Sequence, residues 1–229
     1  MIIGGLQKTS LSDFPGVLSC IVFTRGCNFR CPYCHNPELV DLARFTPAVP
    51  WEEITSFLRS REGRIEGVVV TGGEPTTHAD LAGLLAELKT MGLKVKLDTN
   101  GSNPGLLHRV LSAGSTDFIA MDLKAPLDAY DRVAGVPVDT GAVQESLRMI
   151  RESGLPHEVR TTFAPAVLSL EDLRRMAELV RGCARFVIQA FHGGKTLDSA
   201  LTDAASPTRS QMNEAASQFQ AAGIPVQIR

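Results

Sequence analysis

Three cysteines lie within eight residues of each other near the start of the chain: Cys27, Cys31 and Cys34, in the segment CNFRCPYCHN. Thiolates are soft ligands that select zinc, copper(I) or iron–sulfur clusters. A structural zinc site takes four protein ligands, usually as two separated pairs. Only Cys183 lies downstream, and His35 beside Cys34 would need a strained loop to reach the same ion. The spacing therefore favours an iron–sulfur cube with one iron open, with a zinc knuckle or three unrelated buried thiols as the alternatives.

The elements that must position these cysteines alternate along the chain. Apolar, β-branched segments are each followed by a segment of helical periodicity, in units of about 25 residues. The predicted strands are 19–24, 67–73, 93–101, 116–124, 157–163, 184–191 and 224–229. The predicted helices are 51–61, 78–92, 103–114, 140–154, 169–182 and the region near 207–222. Residues 1–18 are expected to add a hairpin or an edge strand.

Strands that alternate with helices predict a parallel sheet with right-handed crossovers. A doubly wound sheet would concentrate its functional residues at one switch point, whereas a barrel collects them from many strand ends on one face. About six core strands in this length favour an incomplete barrel over the closed eight-stranded form of roughly 250 residues. We therefore expect an α/β fold, an incomplete (β/α)6 TIM-like barrel, as a single domain over 1–229. Polar residues gather just past the predicted strand ends, at 25–35, 72–74, 98–100, 122–124 and 189–192.

The composition is that of an ordinary globular protein, with 44% hydrophobic and 21% charged residues. A formal net charge of -2 gives no global basic field that would gather nucleic acid. No apolar run approaches the ~20 residues that cross a bilayer, so no membrane association is expected. The N-terminal segment lacks the pattern of a signal peptide, and we expect a cytoplasmic location.

The cysteine motif has a context that resembles a known superfamily. C-x3-C-x2-C with Tyr33 before the last cysteine, followed by TGGEP (71–75) at the next strand end, is similar to the radical S-adenosylmethionine (SAM) enzymes. CHNPE (34–38) and MDLK (121–124) resemble the glycyl-radical-enzyme activating branch, above all the anaerobic ribonucleoside-triphosphate reductase activating proteins. The resemblance spans nearly the whole chain and is strongest before residue 125. Further matching segments are DFPG (13–16), LDTNG (97–101) and FHGGK (191–195).

The resemblance implies the fold of the radical SAM type and a cluster loop at 24–38. Cys27, Cys31 and Cys34 would each bind one iron of a [4Fe–4S] cluster, and SAM would occupy the fourth iron. Because residues 35–73 hold no cysteine, one cluster per chain is expected. A flavodoxin or ferredoxin-type protein would supply the electron, and the protein substrate would be a glycyl radical enzyme. His35 is expected to support the cluster rather than to bind iron.

The resemblance also implies which residues bind SAM, beginning with Tyr33. Gly72 and Gly73 would let the backbone approach the methionine moiety, because no Cβ intervenes. Glu74 would accept hydrogen bonds from the SAM amino group; the alternative is a charge at a helix N-terminus. Asp98 would hold ribose hydroxyls, or else serve only the turn that follows it.

Four more residues complete the SAM-binding set. Asn100 would hold ribose hydroxyls, or else serve only the turn that Asn-Gly predicts. Asp122 and Lys124 would contact SAM from one strand, or else form a surface ion pair. His192 would approach the adenosine, or else be an ordinary polar group at a strand end.

Two other functions remain open on the sequence. One is a radical SAM enzyme that acts on a small molecule, of the 7-carboxy-7-deazaguanine synthase type. The other is a non-catalytic zinc or electron-transfer module. Cys20 is expected to be a small buried apolar residue, Cys183 has no assigned role, and Arg160 is unusual inside a predicted strand.

Overall fold

The computed structural model describes all residues, 1–229, and consists of alternating strands and helices. Its eight strands follow chain order in the sheet. The strands are β1 (Ile3–Ser10), β2 (Ser19–Thr24), β3 (Gly67–Gly72), β4 (Lys94–Thr99), β5 (Phe118–Asp122), β6 (His157–Phe163), β7 (Phe186–Ala190) and β8 (Val226–Ile228). The helices are α1 (Pro37–Val40), α2 (Trp51–Ser60), α3 (Leu81–Thr90), α4 (Pro104–Ser112), α5 (Tyr130–Ala134), α6 (Thr140–Glu152), α7 (Leu170–Leu179) and α8 (Arg209–Ala221).

The observed elements agree with the predicted alternation. Strands β2 and β6 have the predicted ends, and β1 pairs antiparallel with β2 as the expected N-terminal hairpin. The strand predicted at 116–124 is shorter than expected, because β5 ends at Asp122. Helices α1 and α5 were not predicted, since four or five residues are too few to show a helical period.

The chain divides into two compact units, which are described separately. Unit 1 consists of Met1–Asn28, Glu38–Thr99 and Gly105–Ile119, and unit 2 of Phe29–Pro37, Asn100–Pro104 and Ala120–Arg229. The expectation of a single domain stays a prediction.

In unit 1, strands β2, β3 and β4 are parallel. Strands β2 and β3 carry apolar residues on both faces, whereas β4 has Val95 and Leu97 on one face and Lys96 and Asp98 on the other. Helix α3 buries leucines three and four residues apart, at positions 81, 85 and 88. This spacing places them on one helix face, and each contributes about 1.5–3 kcal/mol on burial. Helices α2 and α4 bury apolar residues at similar spacing.

One sheet face of unit 1 is covered by the loop that joins β1 to β2. Ile21, Val69 and Lys96 are neighbours in register on β2, β3 and β4, so their side chains share this face. Phe14 and Val17 of the loop pack in the same apolar cluster as Ile21 and Val69. The loop, residues 11–18, is therefore part of the core.

In unit 2, β6, β7 and β8 are parallel, and the helices begin at well-formed caps. Capping boxes start α7 at Ser169 and α8 at Thr208. Such caps satisfy backbone N–H groups that a helix leaves without intrahelical partners. Phe186 of β7 stacks on Phe219 of α8 with ring centroids 4.1 Å apart, which fixes that helix on the sheet.

None of the helices combines the length and the apolar character needed to cross a membrane.

Candidate functional site

The three clustered cysteines lie between β2 and α1. The cluster loop, expected at 24–38, spans residues 25–36 in the structure, because Thr24 ends β2 and Pro37 begins α1. Cys31 is buried, Cys27 and Cys34 are half-buried, and none of the chain's cysteines forms a disulfide. No three His, Cys, Asp or Glu side chains are grouped so as to hold a single metal ion. A cube is bound differently, because each thiolate takes a separate iron. Three thiols on one loop fit that donor set.

The beginning of the cluster loop is fixed to the turn after β3 through backbone groups. The N–H of Gly73 donates to Thr24 O at 2.9 Å, and the N–H of Glu74 donates to Gly26 O at 2.8 Å. The imidazole Nε2 of His78 lies 2.9 Å from Arg25 O and donates to it. The position immediately before Cys27 is therefore set by the TGGEP segment.

Both glycines of TGGEP are required by this contact. A Cβ at Gly73 would lie 1.9 Å from Gly26 O, and a Cβ at Gly72 would lie 2.4 Å from Thr24 N. Gly72 also has φ +121°, a conformation that side chains rarely adopt. The sequence suggested close approach to SAM as the reason for these glycines. The structure supplies another reason, the approach of the cluster loop, and SAM contact stays a prediction.

Glu74 has a buried carboxylate, with 1% of the residue exposed. Its Oε1 accepts hydrogen bonds from Thr76 N at 3.0 Å and from Thr99 Oγ1 at 2.7 Å. It thus caps the short 3-10 turn Pro75–Thr77, which is the helix-terminus role considered as the alternative. The predicted contact with the SAM amino group is untested by this geometry.

Asp98 and Asn100 lie at the end of β4 in different surroundings. Asp98 is buried, and its Oδ1 lies 3.2 Å from Nζ of Lys96. Asn100 Oδ1 accepts from the N–H of Ser102 at 2.9 Å, so the turn role considered for Asn100 is present. Lys96 was missed in the sequence, where the alternation in LKVKLD could have shown that it shares a face with Asp98.

The second part of the cluster loop belongs to unit 2 and is held there by backbone hydrogen bonds. The N–H of Arg30 donates to Ala134 O at 2.7 Å, and the N–H of Asp198 donates to Pro32 O at 3.0 Å. The N–H of Cys34 donates to Cys31 O at 3.0 Å, which closes a turn around Tyr33. Tyr33 itself is buried.

A group of partly buried charges in unit 2 surrounds Asp122. Nζ of Lys124 lies 3.0 Å from Asp122 Oδ2, and Nε of Arg160 lies 2.8 Å from Oδ1. Burial opposes the charged carboxylate, but Arg160 and Lys124 outweigh it and hold the pKa of Asp122 below its ordinary value. Arg160, which the sequence left unexplained, is therefore an ion-pair partner of Asp122.

The prediction that Asp122 and Lys124 project from one strand is wrong in detail. Because β5 ends at Asp122, Lys124 lies beyond the strand, where its N–H donates to Tyr130 Oη at 3.2 Å. Lys124 nevertheless faces the cluster loop. Burial raises the pKa of the Cys31 thiol, and the Lys124 ammonium opposes that shift. A metal that binds Cys31 must displace its proton, which a nearby positive charge favours.

His35 and His192 meet within unit 2. Nε2 of His35 donates to the backbone O of His192 at 2.7 Å, and the His35 ring stacks on Phe191 with centroids 5.5 Å apart. The expected supporting role of His35 at the cluster stays a prediction. The imidazole of His192 is exposed, with Nδ1 3.5 Å from Ser206 Oγ. Its approach to adenosine stays a prediction.

The remaining cysteines have no part in this arrangement. Cys20 is fully buried in β2, as expected, and burial raises its pKa to about 12. Burial also raises the pKa of Cys183 to about 11.

Comparison with known proteins decides the family. The model of the radical SAM superfamily matches residues 21–184, which include the cluster loop and the TGGEP segment. The chain belongs to the radical SAM superfamily. This membership supports the prediction of an enzyme. The alternative of a non-catalytic zinc or electron-transfer module loses its support.

Several relatives of this radical SAM protein are activating enzymes. A provisionally named glycyl-radical enzyme activating enzyme of Methanocaldococcus jannaschii is 29% identical over 93% of this chain and 89% of that protein. The pyruvate formate-lyase-activating enzyme of Clostridium pasteurianum is 27% identical over 78% of this chain and 76% of its own. The 7-carboxy-7-deazaguanine synthase of Thermococcus kodakarensis is 30% identical over 73% of each chain. The predicted activating-enzyme family is thus supported.

Solved structures show the same fold. A domain of pyruvate-formate lyase-activating enzyme from Bacteroides vulgatus superposes with a TM-score of 0.59 at 17% identity, covering 72% of this chain and 99% of that one. Coproporphyrinogen III oxidase of Escherichia coli, a radical SAM enzyme, gives 0.62 at 16% identity, covering 92% of this chain and 53% of its own. The fold class, an incomplete (β/α)6 barrel of the radical SAM type, is confirmed.

Proposed function

We propose that this radical SAM protein generates a glycyl radical on a partner enzyme, and that the partner is anaerobic ribonucleoside-triphosphate reductase. The extent of the match to the Methanocaldococcus jannaschii protein, over 93% of this chain, carries the activase assignment. The choice of the reductase rests on the resemblance of the whole set of motifs, from DFPG (13–16) to FHGGK (191–195), to its activating proteins. A flavodoxin or ferredoxin-type protein is the proposed electron donor.

In this proposal Cys27, Cys31 and Cys34 hold one [4Fe–4S] cluster. Three thiolates would leave one iron of such a cluster without a protein ligand, and SAM would bind there. When bound, the cluster and SAM supply reductive cleavage to methionine and a 5′-deoxyadenosyl radical.

The chain's own residues hold and orient these groups. The TGGEP segment fixes the backbone before Cys27, as its hydrogen bonds to Thr24 and Gly26 require. Lys124 offers a positive charge that suits a carboxylate, and Arg160 orients its partner Asp122. Tyr33, Glu74, Asp98, Asn100 and His192 complete the proposed SAM-binding set.

A second candidate is a radical SAM enzyme for a small molecule. It is favoured by the 30% identity to 7-carboxy-7-deazaguanine synthase, which is as high as that to any activating enzyme described above. Its match covers 73% of this chain, against 93% for the activating enzyme of Methanocaldococcus jannaschii. The longer match places the activase first.

The test begins with anaerobic reconstitution, which should give about four irons per chain. Dithionite and SAM should then release 5′-deoxyadenosine. Adding purified anaerobic ribonucleoside-triphosphate reductase should produce a glycyl doublet in the electron paramagnetic resonance spectrum. The matched control is the reductase with its radical glycine changed to alanine, which should give no doublet.

Three outcomes separate the candidates. A doublet on pyruvate formate-lyase alone would keep the activase and change its partner. Release of 5′-deoxyadenosine without a radical on either enzyme, but with turnover of the substrate of 7-carboxy-7-deazaguanine synthase, would establish the second candidate. One zinc and no iron per chain would exclude both.

A further inference from the structure

Lys96 is a charged side chain in a position built for an apolar one. It is completely buried, and its neighbours in register on the same sheet face belong to an apolar cluster. Burying an ammonium costs several kcal/mol unless the charge is paired and hydrogen-bonded. A leucine or methionine would fill the same space without that cost, so packing alone does not account for a lysine here.

The Lys96 ammonium joins two segments of unit 1. Its Nζ donates to the backbone O of Asp13 at 2.5 Å and lies 3.2 Å from Asp98 Oδ1. It also lies 5.6 Å from the ring centroid of Phe118, which adds a cation–π contact. Asp13 belongs to the loop 11–18, whereas Asp98 is at the end of β4.

The loop that Lys96 contacts is itself firmly held. Ser10 Oγ bonds the Asp13 carboxylate and accepts from the N–H of Asp13 at 3.2 Å. Phe14 and Val17 anchor the following residues in the apolar cluster, and the N–H of Val17 donates to Phe14 O at 3.1 Å. The loop thus holds the Lys96 ammonium in place, and the ammonium can in turn hold the Asp98 carboxylate.

The geometry points to Lys96 as a positioning residue that orients the Asp98 carboxylate for SAM and ties it to the loop 11–18. This role rests on the proposed function only in that Asp98 binds SAM. Lys96 acts through Asp98 and touches no reacting atom. A carboxylate held in this way is preorganised, so less orientational freedom is lost when a hydroxyl binds it.

The test compares Lys96→Gln with Lys94→Met. Gln keeps a donor for Asp13 O but removes the charge beside Asp98. Lys94 is exposed at the start of the same strand, which makes its substitution a matched control. We expect Lys96→Gln to raise the Kd of SAM for the reconstituted protein about tenfold or more, with iron per chain unchanged. Lys94→Met should leave both values unchanged.

Four further measurements separate positioning from a structural role. Lys96→Arg should recover much of the SAM affinity, and in Lys96→Gln the KM for SAM should rise more than kcat falls. In an Asp98→Asn background, the change at Lys96 should have little additional effect on Kd, because the two residues act as a unit. Faster hydrogen exchange of the Asp13–Val17 amides in Lys96→Gln would show the loss of the tie to the loop.

Unchanged SAM affinity in Lys96→Gln, with wild-type iron content, would overturn the inference. So would equal effects of that change with and without Asp98→Asn. If Lys96→Gln does not fold, Asp98→Asn decides, and a wild-type Kd of SAM in Asp98→Asn refutes the role. Failure of the wild-type protein to yield any glycyl radical would refute the proposed function alone, since SAM binding is measured independently.

Discussion

Replacing Gly73 by alanine tests whether the TGGEP segment sets the position of the cluster loop. The added Cβ would lie 1.9 Å from Gly26 O, whereas real Cβ atoms stay about 3.0 Å or more from such atoms. Backbone atoms on one side or the other must therefore move by about 1 Å. The hydrogen bond from Glu74 N to Gly26 O, now 2.8 Å, lies directly in the path of that movement.

The expected cost follows from these contacts. Forcing a methyl group into a filled site costs about 1–3 kcal/mol, and a lost hydrogen bond about 0.5–1.5 kcal/mol. Gly73→Ala should then lower the free energy of unfolding by about 2–4 kcal/mol, a large share of the 5–15 kcal/mol that is typical of proteins. Because Gly26 precedes Cys27, iron retention should fall as well.

Urea unfolding of the metal-free protein and iron analysis after reconstitution measure the two effects. Gly83→Ala is the matched control, because Gly83 lies inside α3 and an added Cβ meets nothing within 4 Å. That change should stabilise the protein by about 0.5–1 kcal/mol. If Gly73→Ala unfolds at the wild-type urea midpoint and retains wild-type iron, the TGGEP segment does not set the path of the cluster loop.

Two other perturbations test separate parts of the chain. Cys31→Ala should abolish iron retention in an iron assay, because two thiolates cannot hold the cube. The control, Cys183→Ala, should retain iron. Loss of iron in Cys183→Ala would contradict the three-ligand assignment. Burial opposes the charge on Asp172, but hydrogen bonds from Ser169 and Arg175 prevail and lower its pKa. Its stabilising contribution is therefore complete above the unfolded pKa of about 4 and disappears as pH falls through the lower folded value. Urea unfolding should show Asp172→Asn to be less stable than wild type at neutral pH, with the difference shrinking below pH 4; a constant difference would refute this.

The sequence predicted the alternation of strands and helices because hydrophobic periodicity is a local property. It also located the cysteines and the TGGEP segment, since these are contiguous motifs. It did not show that Gly73 meets Gly26 or that Arg160 pairs with Asp122, because such contacts depend on how distant segments fold together. The sequence also did not show that β5 ends before Lys124. The apolar pattern does not mark the residue at which a strand stops pairing with its neighbours in the sheet.

The hydrogen bonds that Glu74 accepts within the protein could be predicted from the sequence only in part. A glutamate before PTT is a recognisable cap, but its bond with Thr99 joins residues 25 positions apart. Lys96 was overlooked because a lysine in a strand is usually exposed. Sequence patterns reflect the average preference of each residue type. A buried charged residue is an exception, and it can be recognised only when the groups that pair with its charge are known.

Several hydrogen bonds that hold the cluster loop use its main-chain atoms: Gly26 O in unit 1, Arg30 N and Pro32 O in unit 2. The side chains of Asn28 and Arg30, by contrast, are exposed. The exposed positions between the cysteines can therefore vary more readily than the buried Phe29 and Tyr33 while the path of the loop is kept. The charge that these exposed positions contribute to the surface around the cysteines can therefore differ from one lineage to another.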